Sequence, residues 1–231
     1  MAITREIFEE AKRAIVYSLD ENTSLCDAFL SVVPVTGAAV SVLVTRAAQA
    51  TICSSDSTAA HLDELQFDLG EGPCWEALSS RRPALHSDVQ GEDQSSWPAF
   101  ANAVLGSEVH AMFAFPLVVG SLDIGAVDLY SSNVGGLTSE QVSDASALAQ
   151  LTGWQVLRRL LTKNPDDEGG STHLRREVHQ ATGMVLAQLA ISADEASLLL
   201  RAHAFSSGRS VREIANDVVE RRLDFSLGSS Q

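Results

Sequence analysis

Cysteine is scarce in this chain: Cys26, Cys53 and Cys74 are the only three in 231 residues. They are widely spaced and odd in number, and no two form a CxxC pair, which argues against a disulfide framework or a zinc site. There is no glycine-rich phosphate loop, no GxSxG elbow and no HExxH, so no catalytic constellation is visible and no enzyme is expected. No apolar run approaches the roughly 18 residues that a membrane-spanning helix needs. The opening "MAITREIFEEAKRA" carries three glutamates in place of a signal peptide's basic start and apolar run. Together these absences imply a cytoplasmic protein with no membrane contact. His61, His86 and His110 fall in three different predicted elements and read as ordinary hydrogen-bonding residues, so no metal is expected. Cys74, in "GEGPCWEAL", lies near a predicted helix start, where a thiolate would be favoured. The other reading of Cys74 is a small buried hydrophobe.

What is present is acid. The net charge is −14, and it is unevenly divided. Residues 173–231 hold 7 Arg against 7 Asp plus Glu, whereas residues 1–172 hold 9 basic and 23 acidic residues and account for the whole imbalance. An acidic surface repels nucleic acid, so any polyanion partner must bind the C-terminal quarter.

The sharpest change of composition is "NPDDEGGS", residues 164–171, a helix stop followed by a flexible joint. Before it the pattern mixes helix and strand, giving an α+β class. Residues 3–32 read as helical, with Ile7, Phe8, Ala11, Ala14, Ile15 and Leu19 at helical spacing. "GAAVSVLVT" (37–45) and "QATICSS" (49–55) read as strands. From His110 to Ser132, two apolar runs flank Gly120-Ser121, which suits a type II′ hairpin. A capping box at Thr138 and Gln141 then opens a long helix over 138–161. Its apolar stripe suits packing on its own sheet or pairing with a second copy.

After the joint the periodicity predicts three short helices. The first covers about 173–190. The second and third open with capping boxes, Ser192–Glu195 and Ser210–Glu213. Arg175, Arg176 and His179 lie in the first turns of the first helix, and Arg209 and Arg212 flank the start of the third. Arginines at helix N-termini attract phosphates through both dipole and charge. The alternative is a solvated face shared with Glu177, Glu213 and Asp217. Gly183 costs roughly 1 kcal/mol in mid-helix relative to alanine, which implies close approach by a packed helix or by a ligand, packing being the commoner use.

"VHQATGMVLAQLAISADEASLLLRAHAFSSGRSVREIANDVV" resembles an ANTAR domain, the three-helix module of RNA-binding antitermination regulators. The likeness covers about 172–225, with residues 226–231 read as a disordered tail. Many such domains have lysine where this chain has Thr182, which would remove one phosphate contact. "FDLGEGPCWEALSSRRPALHSDV" and "WPAFANAVLGSEVHAMFAFPLVVGSLDIGAVDLYSS" are similar to a GAF domain, from about 20 to 163. With its flanking helices that domain takes up residues 1–163, and 164–171 forms the linker. The two resemblances imply a GAF antiparallel sheet flanked by helices, then an ANTAR three-helix effector. They also imply a homodimer formed through the GAF domain and the 138–161 helix. No cofactor is demanded by any residue set, although GAF domains often hold a small molecule. The implied RNA contacts are Arg175, Arg176, Arg209 and Arg212 on phosphates. His179, Ala181 and Gly183 would form a close helix face for hairpin-loop bases, with Ser210 at the cap. Two other readings stay open on the residues alone. One is a DNA-binding helix-turn-helix in which Arg212 and Asn216 read bases. The other is a sensor whose helical tail docks on a protein such as a kinase.

Overall fold

The computed structural model describes residues 2–18, 24–45, 48–91, 96–162, 173–174 and 176–226. The chain divides into two compact units, residues 1–44 with 51–173, and residues 45–50 with 174–231. The expected linker at 164–171, Arg175, and the tail beyond Ser226 lie outside the described residues.

As far as residue 162 the chain runs α1 (Ala2–Tyr17), α2 (Leu25–Val32), β1 (Gly37–Thr45), β2 (Ala48–Ser54), α3 (Ser57–Leu69), α4 (Pro73–Ser80), β3 (Ala84–His86), α5 (Pro98–Val104), β4 (Ala111–Val119), β5 (Leu122–Ser131) and α6 (Ser139–Thr162). The strands are ordered β3-β4-β5-β1-β2, with antiparallel pairing at β3/β4, β4/β5 and β5/β1. Gly120 turns the β4–β5 hairpin at φ +61, while Ser121 keeps a negative φ, as a type II′ turn requires. Nearly every residue of β4 is buried because both faces of the sheet are covered. Ala114 meets Ala77 of α4 on one face, and Leu117 and Val119 lie against Gly153 of α6 on the other. Such a strand reads as a continuous apolar run instead of an alternating one.

Residues 3–32 form two helices, where the periodicity predicted one. Ser24, extended at φ −66 and ψ 118, precedes the first residue of α2 and so restarts the helix after the polar stretch "DENTS". Ala11, Ile15 and Ser18 form the buried edge of the first segment, and Ala14 is exposed. The long helix α6 begins as its sequence foretold. Thr138 N–H donates to Gln141 Oε1 at 2.8 Å, and Gln141 N–H donates to Thr138 Oγ1 at 3.2 Å.

A second correction concerns the cysteines. Cys26 of α2 and Cys53 of β2 form a disulfide with their Cα atoms 6.3 Å apart, inside the usual range. An odd count without a CxxC pair pointed away from any bridge. The pairing is made by tertiary folding across 27 residues, so local spacing carried no trace of it.

In the second unit, α7 (Arg176–Leu189), α8 (Ala193–Ser207) and α9 (Val211–Val219) surround one apolar core. Val178, Ala181, Val185, Ala196, Leu200 and Ile214 are among the buried members. Ala190, at φ +53, turns the chain between α7 and α8, whose axes differ by 108°. Both predicted capping boxes are formed, at Ser192–Glu195 and Ser210–Glu213. Among the described residues no single helix is long and apolar enough to cross a membrane.

Candidate nucleic-acid interface

The first turns of α7 and α9 lie side by side. Arg212 Nε sits 3.9 Å from Glu177 Oε2, a loose ion pair between half-exposed side chains. Along α7 the exposed positions are Arg176, Gln180, Gly183 and Ala187, a stripe at helical spacing. A Cβ built on Gly183 would meet no atom within 4 Å among the described residues. Among the described residues no helix of this chain packs closely on it, although that is the commoner use of such a glycine. Gly183 and Ala187 together leave a low side wall that faces outward, on the same stripe as the Gln180 amide and the Arg176 guanidinium.

The other residues implied by resemblance divide sharply. Ala181 is fully buried in the core with Val185 and Ile214, so it packs the domain and offers no face to a base. A residue at helical spacing from both Val178 and Val185 belongs to the inner face, and periodicity alone assigns it there. Thr182 is also buried, and its hydroxyl donates to the Val178 carbonyl at 2.7 Å. The lysine missing from this position is thus missing from an inward site. His179 is half-buried. Ser210 is occupied as the cap of α9, its hydroxyl oxygen accepting from Glu213 N–H at 3.2 Å. Arg209 donates to Asp217 Oδ2 at 2.7 Å, and Asp217 also binds Arg222. These two guanidinium partners, Arg209 foremost, hold the Asp217 carboxyl below its ordinary range.

Glu213, Asp217 and the capping residue Glu220 recur at i, i+4 and i+7 along one face of α9, where Arg209 and Arg222 pair with Asp217 and Arg222 also pairs with Glu220. Asn216 is half-buried.

The family-model comparison matches a GAF domain over residues 5–156 and an ANTAR domain over residues 172–219. The chain belongs to the GAF domain family. An ANTAR domain follows the GAF domain, as the sequence motifs implied. A GAF domain implies signal sensing, and an ANTAR domain implies RNA-binding antitermination regulation. No curated protein matches the chain. Among solved structures, the GAF domain of an Acinetobacter phosphoenolpyruvate-protein phosphotransferase is similar at 10% identity and TM-score 0.56, covering 72% of this chain and 99% of that one. The chromophore-binding domain of a bacteriophytochrome from R. palustris is similar at 13% identity and TM-score 0.51, with 68% and 62% coverage. The corresponding phosphotransferase GAF domain from Coxiella burnetii is similar at 11% identity and TM-score 0.50, covering 68% and 95%. At these identities the likeness is one of fold.

Inside the GAF domain lies a buried polar cluster that no sequence motif announced. Asp63 of α3 is fully buried and accepts from the hydroxyls of Ser41 and Thr51. Asp128 of β5, 5% exposed, accepts from Gln66 Nε2 at 3.1 Å, and its Oδ1 has no hydrogen-bond partner among the described residues. Burial, reinforced by the charge of Asp63, pushes the Asp128 carboxyl up to about 8. Gln66 also accepts from Cys74 N–H, tying the "LGEGPC" turn to the sheet. Cys74 is wholly buried, and burial with the nearby Asp128 and Asp63 charges holds its thiol well above the ordinary range. The thiolate that a helix start suggested is therefore not favoured, because desolvation outweighs the helix dipole. Of the three histidines, His86 has its Nε2 3.0 Å from Glu76 Oε2, which also accepts from Trp97 Nε1 at 3.0 Å.

Proposed function

We propose that this chain is a signal-responsive antitermination regulator that binds hairpins of a nascent transcript through its ANTAR domain. RNA is met by the exposed stripe of α7 together with Arg212 of α9. Gly183 is the observation that carries the reading: a helix interior glycine with open space before it admits a backbone-close ligand and serves no internal packing. RNA loops are recognised by shape and splayed bases, which such a flat face suits. Arg176 and Arg212 supply phosphate contacts beside it, whereas Arg209 serves chiefly to order the α8–α9 turn through Asp217.

Two hairpins recognised by two copies gain from effective concentration, so dimerisation is a natural control point. Trp154, Leu157 and Leu161 recur at i, i+3 and i+7 on α6, and Trp154 and Leu161 are 62% and 77% exposed. This stripe is where we place the contact between two GAF domains, the signal acting by realigning it.

One alternative draws on a specific feature. Leu198 and Phe205 are exposed two turns apart on α8, an apolar edge that would suit a protein partner. That reading predicts binding insensitive to salt and no affinity for RNA. The test is titration of the full chain with a labelled RNA of two adjacent small hairpins at several salt concentrations. The proposed reading expects Arg212→Gln to weaken binding and to lower the salt slope by about one or less. An unchanged slope removes Arg212 from the interface.

A further inference from the structure

We infer that the Cys26–Cys53 pair is a reversible thiol–disulfide site, and that cellular redox poise is a signal this GAF domain reads. The inference rests on the proposed function in one respect. A chain that binds nascent RNA works where glutathione and thioredoxin keep most thiols reduced, so a bridge there is a transient state of the protein and not a permanent staple. Cys53 on β2 is half-buried and Cys26 fully buried, so of the two partners Cys53 is the more open to an external thiol. Cys26 is fully buried in the first turn of α2, the end of a helix where negative charge is favoured. Cys74 is buried and protonated, which leaves this pair as the redox-competent thiols.

The chemistry balances with glutathione as the co-reactant. A glutathione thiolate attacks Sγ of Cys53, the Cys26–Cys53 bond breaks, and Cys26 leaves as a thiolate that takes up a proton. A second glutathione thiolate attacks the glutathione sulfur of the mixed disulfide and releases Cys53 as a thiol with one glutathione disulfide. Two electrons pass to the protein, and oxidation is the reverse. The structural consequence is local to α2 and β2. α2 packs on both α1 and α6, so the bridge ties the helical layer that contains α6 to one strand of the sheet. Reduction releases that tie at α2, which packs against α6, the helix whose exposed stripe forms the proposed dimer contact.

The full chain is equilibrated in glutathione buffers from fully reduced to fully oxidised, quenched in acid, alkylated under denaturing conditions and weighed. The inference expects a single two-thiol transition inside that range, abolished in both Cys53→Ser and Cys26→Ala. It also expects faster amide exchange in α2 and a melting temperature lower by roughly 5–10 °C on reduction. A pair that stays bridged in reduced glutathione alone, or unbridged in glutathione disulfide alone, overturns it. So does a transition that leaves exchange in α2 unchanged. RNA affinity in the two states separates this inference from the reading beneath it. A change of about fivefold or more supports both. Equal, measurable affinity in both states overturns redox control and leaves RNA binding standing. No RNA binding in either state, with the thiol transition and the exchange difference intact, overturns the RNA reading and leaves the redox site.

Discussion

Gly183 sits in the middle of α7 at a cost that alanine would remove. With open space at its Cβ, Gly183→Ala should raise the stability of the C-terminal helices by about 0.5–1 kcal/mol. The same variant should bind hairpin RNA severalfold more weakly, because the new methyl stands where a base or backbone approaches. Thermal melting and RNA titration on one preparation check both signs. Asp128 makes the opposite kind of compromise. Its carboxyl, raised to about 8 by burial, keeps its proton in the folded chain across an interval in which the unfolded chain has lost it. Unfolding then releases a proton, so this residue lowers stability progressively as pH rises from about 4 to about 8. Asp128→Asn retains an acceptor for Gln66 and abolishes that dependence. Its melting temperature should exceed the parent's most at pH 8, and the difference should vanish near pH 4. At this scale the sequence told less than its motifs suggested. Arg209 and Ala181 matched a family pattern, yet the first is paired with Asp217 and the second is core, whereas Ser210 caps α9 as its motif foretold. A motif fixes which residues recur, and only tertiary neighbours decide whether a recurring residue faces in or out.

The elements that were legible are those whose signal is local. Both capping boxes of the ANTAR domain, the box that starts α6 and the Gly120 turn are encoded within four residues, and each formed as read. The break between α1 and α2, the Cys26–Cys53 bridge and the burial of Asp63 near Asp128 depend on distant parts of the chain, so periodicity could not supply them. Ser210 illustrates the energetics of a local signal. Removing its hydroxyl in Ser210→Ala should cost about 1 kcal/mol by freeing an N-terminal amide of α9. The loss should appear as lower thermal stability of the helical domain, with RNA affinity reduced only as far as the fold is. The exposed stripe of α6 makes a different prediction. Trp154→Glu should leave the GAF fold intact, since the side chain is 62% exposed, and should shift the chain toward monomer in sedimentation at fixed concentration. An unchanged sedimentation coefficient for parent and variant would move the dimer contact elsewhere.

For the whole molecule, charge and architecture argue together. The GAF part and the linker together carry the entire negative excess, while the ANTAR part is balanced and concentrates arginine near helix starts. That asymmetry directs a polyanion to one domain and keeps it off the other. The account therefore stands on one claim, that this chain binds structured RNA in preference to duplex DNA. The measurement that tests it most directly is titration of the full chain with a labelled two-hairpin RNA, in competition with duplex DNA across a range of salt. The account predicts binding that weakens as salt rises and that duplex DNA fails to displace. Equal displacement by DNA, or no binding of RNA in either redox state, would contradict it.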